Sequence, residues 1–125
     1  MHELSVMTQI VESVLSEAKR RNAKKVEEVD LKIGEFTMLG DEQMRFAYEV
    51  LSRDTVLDGS KLNIGRIKGK IRCTNCGYEG PVKLAEDTPH KMVPILECPK
   101  CQSPAKIIEG IECVVRNIRM VVPDV

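Results

Sequence analysis

The chain has 125 residues, with 19 basic and 19 acidic side chains and a formal net charge of zero. A balanced chain sets up no overall field toward nucleic acid or an anionic membrane. Its 42 % apolar and 30 % charged residues suit a soluble globular protein, either one ordinary domain or two small ones. No run approaches the ~18 apolar residues of a membrane span, and the start lacks the charged and apolar regions of a signal peptide. A cytoplasmic protein with no membrane partner is the expectation.

Taken in chain order, the first element is a helix over residues 3–21. Leu4, Met7, Val11, Val14 and Ala18, joined by Ile10 and Leu15, form a stripe of 3.6-residue period. Lys19, Arg20 and Arg21 end it, where cations suit the helix dipole. Val29, Leu31 and Ile33 then alternate with Asp30 and Lys32, predicting a half-buried strand that ends near Gly34. A second helix lies in DEQMRFAYEVLSRD, with Met44, Ala47, Tyr48 and Leu51 on one face and Asp41 as its N-cap. SKLNIGRIKGKI spaces Leu62, Ile64 and Ile67 unevenly around Gly65 and Gly69, a strand with room for a bulge. From Arg72 to about Ala105 there are four cysteines, five prolines and little periodicity; GIECVVRNIRMVV then returns to β-branched residues as a third strand, expected to rejoin the first sheet.

The Cys-rich stretch reads IRCTNCGYEG and LECPKCQSP. Cys73/Cys76 and Cys98/Cys101 are each C-x2-C, with 21 residues between the pairs. Two such loops close a tetrahedron of thiolates around Zn(II) at Zn–S distances of about 2.3 Å. In a reducing compartment metal is favoured over two disulfides or a redox pair. A four-thiolate site is saturated, hence structural, and its metal supplies most of the folding free energy of a segment too short for an adequate core. Cys113 lies in the last strand and reads as a small buried apolar side chain. The fold class is therefore α+β: two helices packed on a small three-stranded sheet, with an inserted zinc-ribbon domain. Residues 1–68 plus 110–125 form the α/β domain and residues 69–109 the zinc-binding insert.

The chain opens MHEL. An α-amine, the His2 amide nitrogen and the His2 imidazole form fused five- and six-membered chelate rings. A nitrogen-rich square plane of this kind suits Ni(II) or Cu(II), either of which promotes loss of the amide proton. Met1 supplies the amine, and the Glu3 amide or carboxylate completes the plane. Read alone, a histidine at position two is an ordinary surface residue.

MHELSVMTQIVESV at the start, FAYEVL in the middle, the paired C-x2-C knuckles and the closing strand together resemble HypA, the nickel metallochaperone family of [NiFe]-hydrogenase maturation, over nearly the whole chain. The resemblance implies Ni(II) bound at the amino terminus and centred on His2, with Met1 and Glu3 beside it, and structural zinc on Cys73, Cys76, Cys98 and Cys101. It implies delivery of nickel to a hydrogenase large-subunit precursor with a HypB-type GTPase partner, and in some members service to urease maturation. No catalysis is expected, and the oligomeric state is left open between a monomer and a homodimer. Some members carry histidines beside the zinc knuckles. Here neither pair is followed by one, and the other histidine, His90, lies in the loop between them, as a further nickel ligand or a solvated side chain. Gly65 and Gly69 flank a conjectural hinge.

Three rival readings stand beside this one. A zinc-ribbon nucleic-acid-binding protein would use the modest basic cluster of Lys68, Lys70, Arg72 and Lys83, but only Tyr78 in the insert is available to stack. An enzyme would need a phosphate loop or a nucleophile with its base, and Cys113 has no evident base. A zinc-stapled assembly module would carry no nickel at all.

Overall fold

The computed structural model describes residues 2–85 and 93–123. Its elements, in order, are helix α1 (Glu3–Arg20), strand β1 (Lys25–Gly34), a 3-10 turn (Glu35–Thr37), helix α2 (Asp41–Ser52), and strands β2 (Lys61–Ile67), β3 (Lys70–Cys73), β4 (Glu79–Gly80), β5 (Lys83–Ala85), β6 (Val93–Ile95), β7 (Ala105–Glu109) and β8 (Cys113–Val121). β2, β1 and β8 form one sheet in that order, β4, β3 and β7 a second, and β5 and β6 a hairpin. The expected α+β architecture is found, with the last strand rejoining the first. Among the described residues, no helix is long and apolar enough to cross a membrane.

The chain forms two compact units, one of Met1–Lys32, Met38–Gly65 and Cys113–Val125, the other of Ile33–Thr37 and Arg66–Glu112. The core of the first is aliphatic. Met7, Val11, Val14 and Ala18 of α1 are buried, as are Val26, Val29 and Leu31 of β1 and Met44, Ala47 and Tyr48 of α2. Each large side chain so buried contributes about 1.5–3 kcal/mol over its exposed state. Polar ties hold β2 and the turn before it to α2, and β2 to β1. The Arg45 guanidinium donates to the Leu62 carbonyl at 2.6 Å, the Tyr48 and Ser60 hydroxyls are 2.6 Å apart, and the Asn63 amide donates to Asp30 at 2.6 Å.

Three local expectations need correction. Leu4 was placed on the buried stripe of α1 but is 58 % exposed. Buried α1 residues begin at Met7. The N-cap of α2 is Gly40, in extended conformation, and Asp41 is the first helical residue, where its charge still favours the helix N-terminus. The strand read through SKLNIGRIKGKI is two strands in different sheets, parted at Lys68 and Gly69. The reason is steric: the Phe36 ring lies against Gly69 with no room for a Cβ, so the chain turns there as two backbones and a ring crowd together. Gly110 shares this contact, and its own φ of +111° is open only to glycine.

The second unit holds little apolar core. Ile33, Ile71, Cys73 and Cys98 are its buried apolar side chains among those described. β3 and β7 pair antiparallel with Ile71 opposite Ile107 and Cys73 opposite Ala105, and β3 pairs with β4 through Arg72 and Glu79. Half of the buried apolar set is sulfur, so what holds the sulfurs together holds the unit together.

Candidate metal centre

The two C-x2-C segments fold as copies of one turn. In the first, Gly77 N–H donates to the Cys73 carbonyl at 3.1 Å and Cys73 N–H donates to the Tyr78 carbonyl at 2.8 Å. In the second, Gln102 N–H donates to the Cys98 carbonyl and Cys98 N–H to the Ser103 carbonyl, both at 2.8 Å. The residue after each second cysteine is left-handed, Gly77 at φ +78° and Gln102 at +60°. This reversal swings the backbone so that both sulfurs of a pair face the same point. Glycine suits that conformation in the first copy; in the second, glutamine accepts its strain.

The four ligand atoms of Cys73, Cys76, Cys98 and Cys101 lie within 4.8 Å of one another. The Sγ atoms of Cys73 and Cys101 are 3.5 Å apart, as are those of Cys76 and Cys98. A tetrahedron with Zn–S bonds of about 2.3 Å has edges of about 3.8 Å, inside that range. The donor set therefore fits zinc in size and chemistry, four soft thiolates with no open position.

Peptide N–H groups point at the sulfurs. Asn75 and Cys76 donate to Cys73 Sγ at 3.4 Å, and Lys100 donates to Cys98 Sγ at 3.4 Å. The Asn75 side-chain amide donates to Cys101 Sγ at 3.8 Å and to the Ser103 hydroxyl at 3.3 Å. The thiols are unequal as a result. Hydrogen bonds from the Ser103 hydroxyl and N–H bring Cys101 down to about 6, helped by Asn75. At Cys76 the Tyr78 N–H favours the thiolate, but the Cys98 sulfur, burial and the Cys73 and Cys101 sulfurs together outweigh it, and the thiol is pushed up to about 12. Asn75 and Ser103 were not singled out by sequence, and Tyr78 was weighed there only as a stacking residue. The available signal was their repeated place, two positions past a cysteine.

The other candidates sit in α1 and its surroundings. His2 is the N-cap of α1, exposed, at φ −89° and ψ 133°, and its side chain makes no capping hydrogen bond. The first bond of the helix runs from Val6 N–H to the His2 carbonyl at 3.1 Å. The Glu3 carboxylate accepts the Gly40 N–H at 3.0 Å. A groove of about 550 Å³ beside them is lined by His2, Glu3, Leu4, Gln43, Phe46 and Val50 among others. Met1 and His90 lie outside the described residues. Cys113 is half-buried at the start of β8, not fully enclosed as expected of a core cysteine. Of the basic cluster considered for nucleic acid, Arg72 is paired with Glu79 at 3.3 Å.

Residues 1–120 match the family model described as HypA, hydrogenase/urease nickel incorporation, metallochaperone. The hydrogenase maturation factor HypA of Methanocaldococcus jannaschii is 39 % identical over 108 residues, 82 % of each chain. That of Methanothermobacter thermautotrophicus is 39 % identical over 121 residues, 96 % of this chain and 97 % of the relative. The solution structure of the Ni metallochaperone HypA from Helicobacter pylori shares the fold, with a TM-score of 0.65 at 24 % identity over 98 % of this chain and all of that one. With a family model spanning nearly its whole length and relatives this similar, the chain belongs to the HypA family of nickel metallochaperones for hydrogenase maturation.

Proposed function

We propose that this chain carries Ni(II) at its amino terminus and hands it to the [NiFe]-hydrogenase large-subunit precursor. The Met1 amine, the His2 amide nitrogen, the His2 imidazole and the Glu3 amide nitrogen form the nickel plane. The observation that supports this most is the position of His2. The first helical bond accepts at His2 and donates at Val6, so the nitrogens of His2 and Glu3 precede every helix carbonyl that could bind them. Either can lose its proton to a metal without breaking a helical hydrogen bond, and negative charge there is favoured by the helix dipole. The exposed imidazole is free to swing onto the same ion.

This placement suits a carrier. Ligands come from one end segment, so a recipient can replace them one at a time, and α1 behind them stays folded. Protons compete for the same nitrogens, so affinity falls as pH drops; affinity independent of pH between 5 and 8 would contradict this. Cys73, Cys76, Cys98 and Cys101 hold zinc, which cross-links the two knuckles. A HypB-type GTPase and the maturation machinery of hydrogenase, and in some settings of urease, are the partners.

The test is a nickel titration of untagged protein with native Met1 beside His2→Ala, with zinc measured in both. One equivalent of Ni(II) in the wild type, lost in His2→Ala at unchanged zinc content, is the expected result. Equal nickel binding in both would make the protein a zinc-stapled assembly module instead.

A further inference from the structure

We propose that Cys76 is the sulfur at which a hydroperoxide opens the four-cysteine cluster, and that the product is a Cys76–Cys98 disulfide joining the two knuckles. The proposal rests on the reading of this cluster as a zinc site. The four sulfurs are alike in chemistry and unlike in surroundings. Cys73 and Cys98 are buried, at 1 % and 0 % exposure. Cys101 is partly covered, and Cys76 is exposed. N–H donors draw charge from a thiolate and blunt its attack. Cys73 accepts two peptide N–H groups, Cys98 accepts that of Lys100, and Cys101 accepts the Asn75 amide. Cys101 also receives the Ser103 hydroxyl and N–H, whereas Cys76 receives the single N–H of Tyr78. Cys76 is thus both the most reachable sulfur and among the least restrained. The Cys98 sulfur waits 3.5 Å away, a distance from which it can resolve an oxidised Cys76 though it is itself closed to solvent.

The chemistry balances as follows. The Cys76 sulfur, which a bound divalent ion would keep as the thiolate, attacks one peroxide oxygen, the O–O bond breaks, and a sulfenic acid and a hydroxide or alkoxide form. The Cys98 thiolate attacks the Cys76 sulfur, the S–S bond forms, and hydroxide leaves. Two thiolates have given up two electrons and the peroxide has accepted them. With two ligands consumed, the divalent ion departs in its original oxidation state, and a dithiol reductant restores the four thiolates. Because this disulfide runs between knuckles and not within one, the two C-x2-C turns stay joined while the metal is absent.

The full chain carrying Cys113→Ser, which removes the fifth thiol, is loaded with zinc and given one equivalent of hydrogen peroxide. Zinc release is followed with a chromophoric chelator and disulfides by peptide mass mapping, with dimedone present in a parallel sample to trap sulfenic acid. The expected result is dimedone on Cys76, a predominant Cys76–Cys98 cross-link, and one zinc released per disulfide, reversed by dithiothreitol and added zinc. Dimedone on Cys101, a predominant disulfide within one knuckle, or oxidation without zinc release would overturn the proposal. Zinc content below one per chain before peroxide is added would instead overturn the zinc reading, a separate outcome read before the oxidation begins.

Discussion

The Glu3 carboxylate and the Gly40 N–H are joined at 3.0 Å across 37 positions of sequence. Gly40 is the N-cap of α2. In a capping box the cap's own N–H is met by a Glu or Gln three residues on; here a carboxylate from the first turn of α1 meets it. The third residue of the chain therefore pins the start of one helix to the start of another. With that carboxylate engaged at the start of α2, the ligand proposed from Glu3 is its amide nitrogen.

Glu3→Ala should lower the free energy of unfolding by about 1–2 kcal/mol, since it leaves a part-buried N–H unmet. Glu3→Gln keeps a carbonyl acceptor and should cost less. On the nickel reading, Glu3→Gln should weaken Ni(II) by far less than the roughly 10–100-fold loss that follows removal of a ligand's orienting partner. Chemical denaturation and nickel competition on the same two variants separate the structural role from the metal role.

An added Cβ at Gly77 would meet nothing within 4 Å, so only its φ of +78° resists substitution. Gly77→Ala should cost about 1 kcal/mol of left-handed strain, equivalent to about a fivefold weaker zinc complex. A zinc competition titration reads this directly. Unchanged affinity would show that the knuckle tolerates another backbone path.

At Gly110 strain and crowding act together. A Cβ there would lie 2.7 Å from the Gly69 Cα and 2.9 Å from the Phe36 ring, at φ +111°. Gly110→Ala should destabilise by about 2–4 kcal/mol. The control is Gly59→Ala, at φ +78° in open space, which should cost only about 1 kcal/mol. Thermal melts giving equal losses would refute the importance of the Phe36 contact.

Arg20 and Arg21 hold the Glu17 carboxyl down to about 2, from an ordinary 4.5, chiefly through hydrogen bonds. A carboxyl depressed in the folded state adds stability above its unfolded pKa and loses it as pH falls. The stability difference between wild type and Glu17→Gln should therefore be constant above the ordinary carboxylate range and shrink as pH drops from 4.5 toward 2. Being exposed, the pair is screened, so the difference should be small and should shrink further in high salt. A pH series of melts at two salt concentrations checks both.

Much of the molecule was legible because its signals are local. The α1 stripe, the β1 alternation from Val29 to Ile33 and the cysteine spacing each declare themselves within a few residues, and the zinc-fitting cluster followed from spacing alone. What escaped depends on distant partners. β4 is two residues long and β3 four, too short for a period to show; they exist because Ile71 finds Ile107 and Arg72 finds Glu79. The cap of α2 shifted from Asp41 to Gly40, whose N–H is met from Glu3, beyond any local rule. Leu4 matched the helical period yet stands exposed beside Phe46, itself 67 % exposed, because periodicity reports a face and not whether anything covers it.

Lys70 and Glu109 are paired residues of β3 and β7, so the segment between them starts and finishes at one place. To the rest of the chain it is a closed excursion, and its length is invisible from outside. A tight turn joining those two positions would span the same gap. Such modularity lets the cysteine-bearing segment be lengthened, shortened or exchanged by heredity or by hand without re-registering a single strand of the sheet that supports the amino terminus.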